Sequence, residues 1–111
     1  PESVIQNSLI SEGCNIEGHI DFSVLFAGVT IEPGAVVRDS IIMPNTTIKK
    51  GAVVEYAIVG EDCVIGENVK VGARPESIED KDTWGVAVIG HGVTVSDNAE
   101  IKPKAMISAD V

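Results

Sequence analysis

The stretch Leu25-Phe-Ala-Gly-Val-Thr-Ile31-Glu-Pro-Gly-Ala-Val-Val37-Arg-Asp-Ser-Ile-Ile42 decides the fold. A large aliphatic residue returns every five or six positions, at Leu25, Ile31, Val37 and Ile42. An amphipathic helix needs a period near 3.6 and a solitary strand needs strict alternation. A six-residue beat fits neither. It fits a solenoid in which each block supplies one short strand and one corner.

Working outward, the same column runs through Ile10, Ile16, Ile20, Leu25, Ile31, Val37, Ile42, Ile48, Val54, Val59, Ile65 and Val71. From Leu25 the intervals are 6, 6, 5, 6, 6, 5, 6 and 6, so one turn takes 17 residues and one of its three sides is always short. Three strands per turn make a triangular prism. The expectation is an all-β, left-handed parallel β-helix of about six turns, an exception to the right-handed crossover rule. A second inward column is expected four residues after the first, at Cys14, Val24, Val29, Ala35, Ile41, Thr46, Ala52, Ile58, Cys63 and Val69. The residue before it marks the corner: Gly13, Gly28, Gly34, Asn45, Gly51, Asp62 and Asn68 all tolerate positive φ. On the short side that place holds Ser23, Ser40 and Ala57, which predicts a corner of different geometry.

Two departures interrupt the beat. From Ile16 to Ile20 only four residues pass, through Glu17-Gly18-His19, a clipped corner. From Gly72 to Gly85 the pattern stops in a charged segment carrying Arg74, Pro75 and Trp84, read as an exposed loop. The six-residue repeat resumes with Ile89, Val95, Ile101 and Ile107; Gly92, Asn98 and Asp110 take the corner, and Lys104 is the exception. One domain over 1–111 is therefore expected, with turns in 8–71, a loop in 72–85 and further turns in 86–111. Because the chain opens at Pro1 without Met, it is expected to be a piece of a longer protein.

Composition narrows the function. The chain is 44% hydrophobic but only 4% aromatic, so Val, Ile, Leu and Ala build the core. Eight basic against 17 acidic residues leave a net charge of −9, which argues against nucleic acid and anionic membrane as partners. No apolar run approaches the roughly 20 residues of a membrane span. Cys14 and Cys63 share a column three turns apart, about 14 Å at the usual strand spacing. That exceeds the roughly 7 Å limit of a disulfide, so both read as reduced, buried small residues. With no His or Cys pair nearby, no metal site is expected.

The candidates for chemistry are few. His19 and His91 are weighed as general bases, since many hexapeptide proteins are acyltransferases, but neither has a neighbouring acid to orient it. Arg38 and Arg74 are among the few donors available to a phosphate. Phe26 and Met43 are expected to stack on the outside of one face, and Val36 and Val53 form a similar outward pair. Such apolar residues on a prism surface mark a contact region. Phe22 and Tyr56 lie two turns apart on the third side. No nucleotide-binding or nucleophile motif is present.

More specific words complete the reading. Asn7-Ser-Leu-Ile-Ser-Glu-Gly-Cys-Asn-Ile-Glu-Gly18, Ser23-Val-Leu-Phe26 and Val36-Val-Arg-Asp-Ser-Ile-Ile-Met43 resemble the C-terminal domain of bacterial glucose-1-phosphate adenylyltransferase. The clip before Ser23 and the charged loop before Gly85-Val-Ala-Val-Ile-Gly90 resemble that family too. The resemblance implies a cytoplasmic enzyme that joins glucose 1-phosphate to ATP with Mg²⁺, giving ADP-glucose and pyrophosphate for glycogen synthesis. The chemistry would belong to an N-terminal nucleotidyltransferase domain absent from this chain, leaving no catalytic residue or cofactor here. The prism would pack on that domain, join tetramer assembly and help bind a phosphorylated sugar or nucleotide effector. Arg38, Arg74 and His91 then become effector-binding candidates, and Phe26, Met43, Val36 and Val53 become interdomain or intersubunit contacts. Two alternatives stay open: an acyltransferase using acetyl-coenzyme A, and a non-catalytic regulatory subunit of the same adenylyltransferase.

Overall fold

The computed structural model describes residues 4–111, with Lys81 described by its backbone alone. The chain winds in short parallel strands, three to a turn. The first turn is β1 (Val4–Gln6), β2 (Leu9–Ile10) and β3 (Asn15–Ile16); the second is β4 (His19–Asp21), β5 (Val24–Leu25) and β6 (Thr30–Ile31). The third comprises β7 (Val36–Arg38), β8 (Ile41–Ile42) and β9 (Thr47–Ile48), and the fourth β10 (Val53–Glu55), β11 (Ala57–Val59) and β12 (Val64–Ile65). The fifth contains β13 (Lys70–Val71), β14 (Ala87–Ile89) and β15 (Thr94–Val95), and β16 (Glu100–Ile101) and β17 (Met106–Ile107) begin a sixth. Every third strand pairs in parallel, giving sheet A (β1-β4-β7-β10-β13-β16), sheet B (β2-β5-β8-β11-β14-β17) and sheet C (β3-β6-β9-β12-β15). This is the triangular parallel β-solenoid that the six-residue beat predicts.

A large aliphatic on each strand, with smaller buried residues such as Val29, Ala35, Ala52 and Val69 at the corners, fills the prism. Ile20, Val37, Val54 and Val71 stack beneath sheet A, Leu25, Ile42, Val59 and Ile89 beneath sheet B, and Ile31, Ile48, Ile65 and Val95 beneath sheet C, all essentially inaccessible. Burying each is worth roughly 1.5–3 kcal/mol. Branched aliphatics suit the task because identical positions recur one turn apart and must nest without gaps. Toward the first turn the core opens: Ile5 is 47% exposed, and Ile10 and Ile16 are only half-buried.

The short side follows a different rule from the one the spacing predicts. There the left-handed residue is Asn7, Phe22, Asp39 or Tyr56, followed by an inward Ser8, Ser23, Ser40 or Ala57. Val24, Ile41 and Ile58 therefore point outward, not inward, and Ile41 and Ile58 are 36% and 37% exposed. The expected inward column was one residue out of register on this side, because its corner is one residue shorter. The corner itself still uses positive φ, so no separate geometry is needed. Hydroxyls line this side on the first three turns, and Ala57 takes the same place on the fourth. The Ser8 Oγ accepts the Ser23 amide at 3.0 Å, the Ser23 Oγ accepts the Ser40 amide at 3.1 Å, and the Ser40 Oγ accepts the Ala57 amide at 3.2 Å. Each hydroxyl in turn donates to the carbonyl two residues before it, of Gln6, Asp21 and Arg38. The series serves backbone groups that would otherwise be buried without partners.

The remaining corners follow the sequence reading, with two differences. Lys104 adopts φ 72° and takes the corner in spite of its side chain, whereas Asp110 is not among the left-handed residues. The clipped corner is possible because Gly18 is a glycine. Its backbone occupies the inward place, where an added Cβ would strike the Ala35 carbonyl oxygen and come within 2.9 Å of the Ile31 Cγ2.

Candidate functional site

Two surface features stand out. The first is the outer face of sheet B. In register along it lie Leu9, Val24, Ile41, Ile58, Val88 and Met106, an apolar residue on every turn. Leu9 and Met106, at its two ends, are 71% and 80% exposed. Beside this row run Phe26 and Met43 and then the side-chain-free Gly60 and Gly90, held in line by amides bonded to the next turn. The row ends in a cavity of about 290 Å³ lined by Val88, Gly90, Met106, Ile107 and Ser108. The corresponding outward row of sheet C is Asn15, Thr30, Thr47, Val64 and Thr94. That of sheet A is Val4, His19, Val36, Val53, Lys70 and Glu100. Only sheet B is apolar from end to end among the described strands.

Of the contact candidates, Phe26 and Met43 lie on this face. Val36 and Val53 are paired neighbours on sheet A, a different side of the prism. The spacing hides the main row, because it places Val24, Ile41 and Ile58 in the inward column. The signal lies in the small residues: Ser23, Ser40 and Ala57, three places after an inward aliphatic, take the inward position on this side.

The second feature lies where sheet A turns into sheet B. Asp21, Arg38 and Glu55 are stacked in register on successive turns. Glu55 is 8% exposed, and its Oε2 accepts Arg38 Nη1 at 3.0 Å and Arg74 Nε at 3.2 Å. Arg74 opens the excursion that interrupts the fifth turn, so Glu55 ties that excursion to the prism. Trp84 ties its other end. The indole Nε1 donates to the Ala73 carbonyl at 2.7 Å, and the ring meets Tyr56 edge-on with centroids 5.5 Å apart. The Tyr56 phenol is raised above its ordinary pKa by burial and by the charges of Asp39, Glu76 and Glu55, with Arg74 opposing. Next in the stack, Asp21 Oδ1 is buried and has no hydrogen-bond partner among the described residues.

Arg38 and Arg74, two of the three effector-binding candidates, thus meet on one carboxylate. His91 does not join them. It is exposed on the turn after β14, at the corner between sheets B and C. Cys14 and Cys63 are both free thiols. The Cys63 Sγ donates to the Gly90 carbonyl at 2.9 Å, and burial first, then the charge of Asp62, pushes its pKa up. No group of three His, Cys, Asp or Glu among the described residues is placed to hold a metal. No described helix is long and apolar enough to cross a membrane.

A three-sided parallel solenoid with left-handed corner residues and a six-residue beat defines the hexapeptide-repeat class of left-handed β-helices. Within that class the chain belongs to the GlmU-like C-terminal hexapeptide family, whose model matches residues 1–96. Among curated proteins it is 49% identical over 88 residues to the glucose-1-phosphate adenylyltransferases of Bacillus thuringiensis and Bacillus anthracis. That match takes in 79% of this chain but only 22% of those proteins' length. Among solved structures, the acetyltransferase domain of PglB from Neisseria gonorrhoeae superposes over the whole chain and 48% of that domain, with TM-score 0.70 and 20% identity. WeeI from Acinetobacter baumannii superposes over 98% of this chain and 50% of its own, with TM-score 0.54 and 16% identity. At such identities the likeness shows the fold.

Proposed function

We propose that the chain is the assembly and regulatory prism of a glucose-1-phosphate adenylyltransferase, a cytoplasmic enzyme making ADP-glucose and pyrophosphate from ATP and glucose 1-phosphate for glycogen synthesis. The observation that carries the structural half of this reading is the unbroken apolar row of sheet B. An exposed stripe of this length suits a surface that is covered when the domain is joined to others. The row Leu9, Val24, Ile41, Ile58, Val88 and Met106, with Phe26 and Met43, is the surface offered to the enzyme's nucleotidyltransferase domain or to other subunits of a tetramer. Val36 and Val53 offer a smaller contact on sheet A. The metabolic half rests on the 49% identity to named adenylyltransferases.

Mg²⁺ and ATP belong in this reading to the nucleotidyltransferase domain, and no step is assigned to this chain's residues. Arg38, Arg74 and His91 remain the donors for an anionic effector, with the two arginines acting together and His91 apart from them. A non-catalytic regulatory subunit of the same enzyme would use the same surfaces. The acetyltransferase structures share the fold alone, so acyl transfer gains no separate support.

The deciding experiment compares the 111-residue chain with the longer protein that carries it, each supplied with ATP, glucose 1-phosphate and Mg²⁺. ADP-glucose is expected from the longer protein only, and Ile58→Asp in it should shift its assembly state. Product from the short chain, or none from either, would overturn the catalytic assignment.

A further inference from the structure

We propose that Glu55 is the resident occupant of an oxyanion site made by Arg38 and Arg74, and that a phosphate-bearing ligand binds there by displacing it. The proposal rests on the effector reading of the two arginines and adds how that site is regulated.

Two guanidiniums converge on a single carboxylate oxygen, at 3.0 and 3.2 Å. Each spends one N–H on it, Nη1 from Arg38 and Nε from Arg74, and among the described residues neither fork makes a further hydrogen bond, which leaves N–H groups for a second oxygen. Such forks match phosphate oxygens as well as they match carboxylate. The arginine side chains are 38% and 48% exposed while the Glu55 side chain is 11% exposed, so the donors are reached from solvent and the acceptor lies behind them. Asp21 adds a second constraint. It sits one turn from Arg38 on the side opposite Glu55, and its buried Oδ1 has no hydrogen-bond partner among the described residues. If Glu55 lets go, Asp21 at one strand spacing still holds Arg38 in place, and both guanidiniums face the incoming anion.

Because Arg74 begins the excursion, exchange has a mechanical consequence. With the Glu55 contact gone, the Arg74 end of the excursion is released, while Trp84 and the bond from Lys104 Nζ to the Asp82 carbonyl hold its far end. Trp84 is the single tryptophan, so its fluorescence reports on that attachment.

The test uses the 111-residue chain and inorganic phosphate, with binding followed by calorimetry and by Trp84 emission. Glu55→Gln preserves shape and removes the resident charge. It should bind phosphate at least about tenfold more tightly than the unaltered chain. Adding Arg74→Gln to that variant should abolish the gain. If Glu55→Gln and the unaltered chain bind equally well, and Arg74→Gln weakens both, the arginines bind anions but Glu55 does not occupy their site, and this proposal fails alone. If neither chain binds phosphate, the effector reading fails with it. Should Glu55→Gln not fold by circular dichroism, the unaltered chain decides. A saturable change in Trp84 emission with phosphate, absent in Arg74→Gln, supports displacement; no change overturns it.

Discussion

The Ser40 hydroxyl lies inside the prism and accepts the Ala57 amide from the turn beyond it, at 3.2 Å. The same oxygen donates to the Arg38 carbonyl at 2.7 Å, so one side chain closes two backbone valences at the short corner. Ser40→Ala should leave a buried amide unsatisfied at a cost of about 1–3 kcal/mol. Urea denaturation followed by circular dichroism checks this. Ser11→Ala, on an exposed serine outside the series, should change stability by less than about 0.5 kcal/mol.

Facing is tested by paired aspartates. Ile58→Asp places a charge in water on the outside of sheet B, and the isolated chain should keep its fold. Ile65→Asp places the same charge in a fully buried site, where no partner exists, and should unfold the chain. Equal loss in both would mean that Ile58 is a core residue after all.

At the clipped corner, Gly18→Ala forces a methyl against the Ala35 carbonyl and the Ile31 side chain. Overpacking of this kind costs about 1–3 kcal/mol. A thermal melt at or above that of the unaltered chain would show that the corner can relax.

Trp84→Ala removes the edge-on contact to Tyr56 and the hydrogen bond to Ala73. Residues 75–83 should become cleavable by a protease at a concentration that leaves the strands intact. Unchanged cleavage would assign the attachment of the excursion to the Arg74–Glu55 contact and the bond from Lys104 to the Asp82 carbonyl.

The Cys63 thiol makes stability depend on alkaline pH. Its folded-state pKa lies above the ordinary 9.0, so near and above that value the unfolded chain releases its proton first. The stability it contributes is complete below the unfolded pKa and is lost as pH rises toward the folded one. Cys63→Ala should flatten this part of the decline. A slope identical in the variant would exclude Cys63 as its source. At neutral pH, alkylation should also reach the half-buried Cys14 well before Cys63.

The beat of aliphatic residues was sufficient to read the prism, its turns and the interruption after Val71, because in a solenoid every repeat meets the same neighbours one turn away. Gly13, Gly28, Asn45 and Asn68 announced their corners for the same local reason: only such residues enter positive φ cheaply. Phe22, Tyr56 and Lys104 enter it as well, against their own preference, and no local rule identifies them. Only the stacked structure decides there, because hydrogen bonds between turns set the corner and the side chain adapts to it. The face of Ile41 and Ile58 was lost by that same one-residue shift. The meeting of Arg38 and Arg74 on Glu55 likewise depends on which turns become neighbours once the chain has wound. A repeating sequence determines the core it shares with every turn, whereas contacts made once, at a short corner or where a loop returns, are decided by tertiary structure.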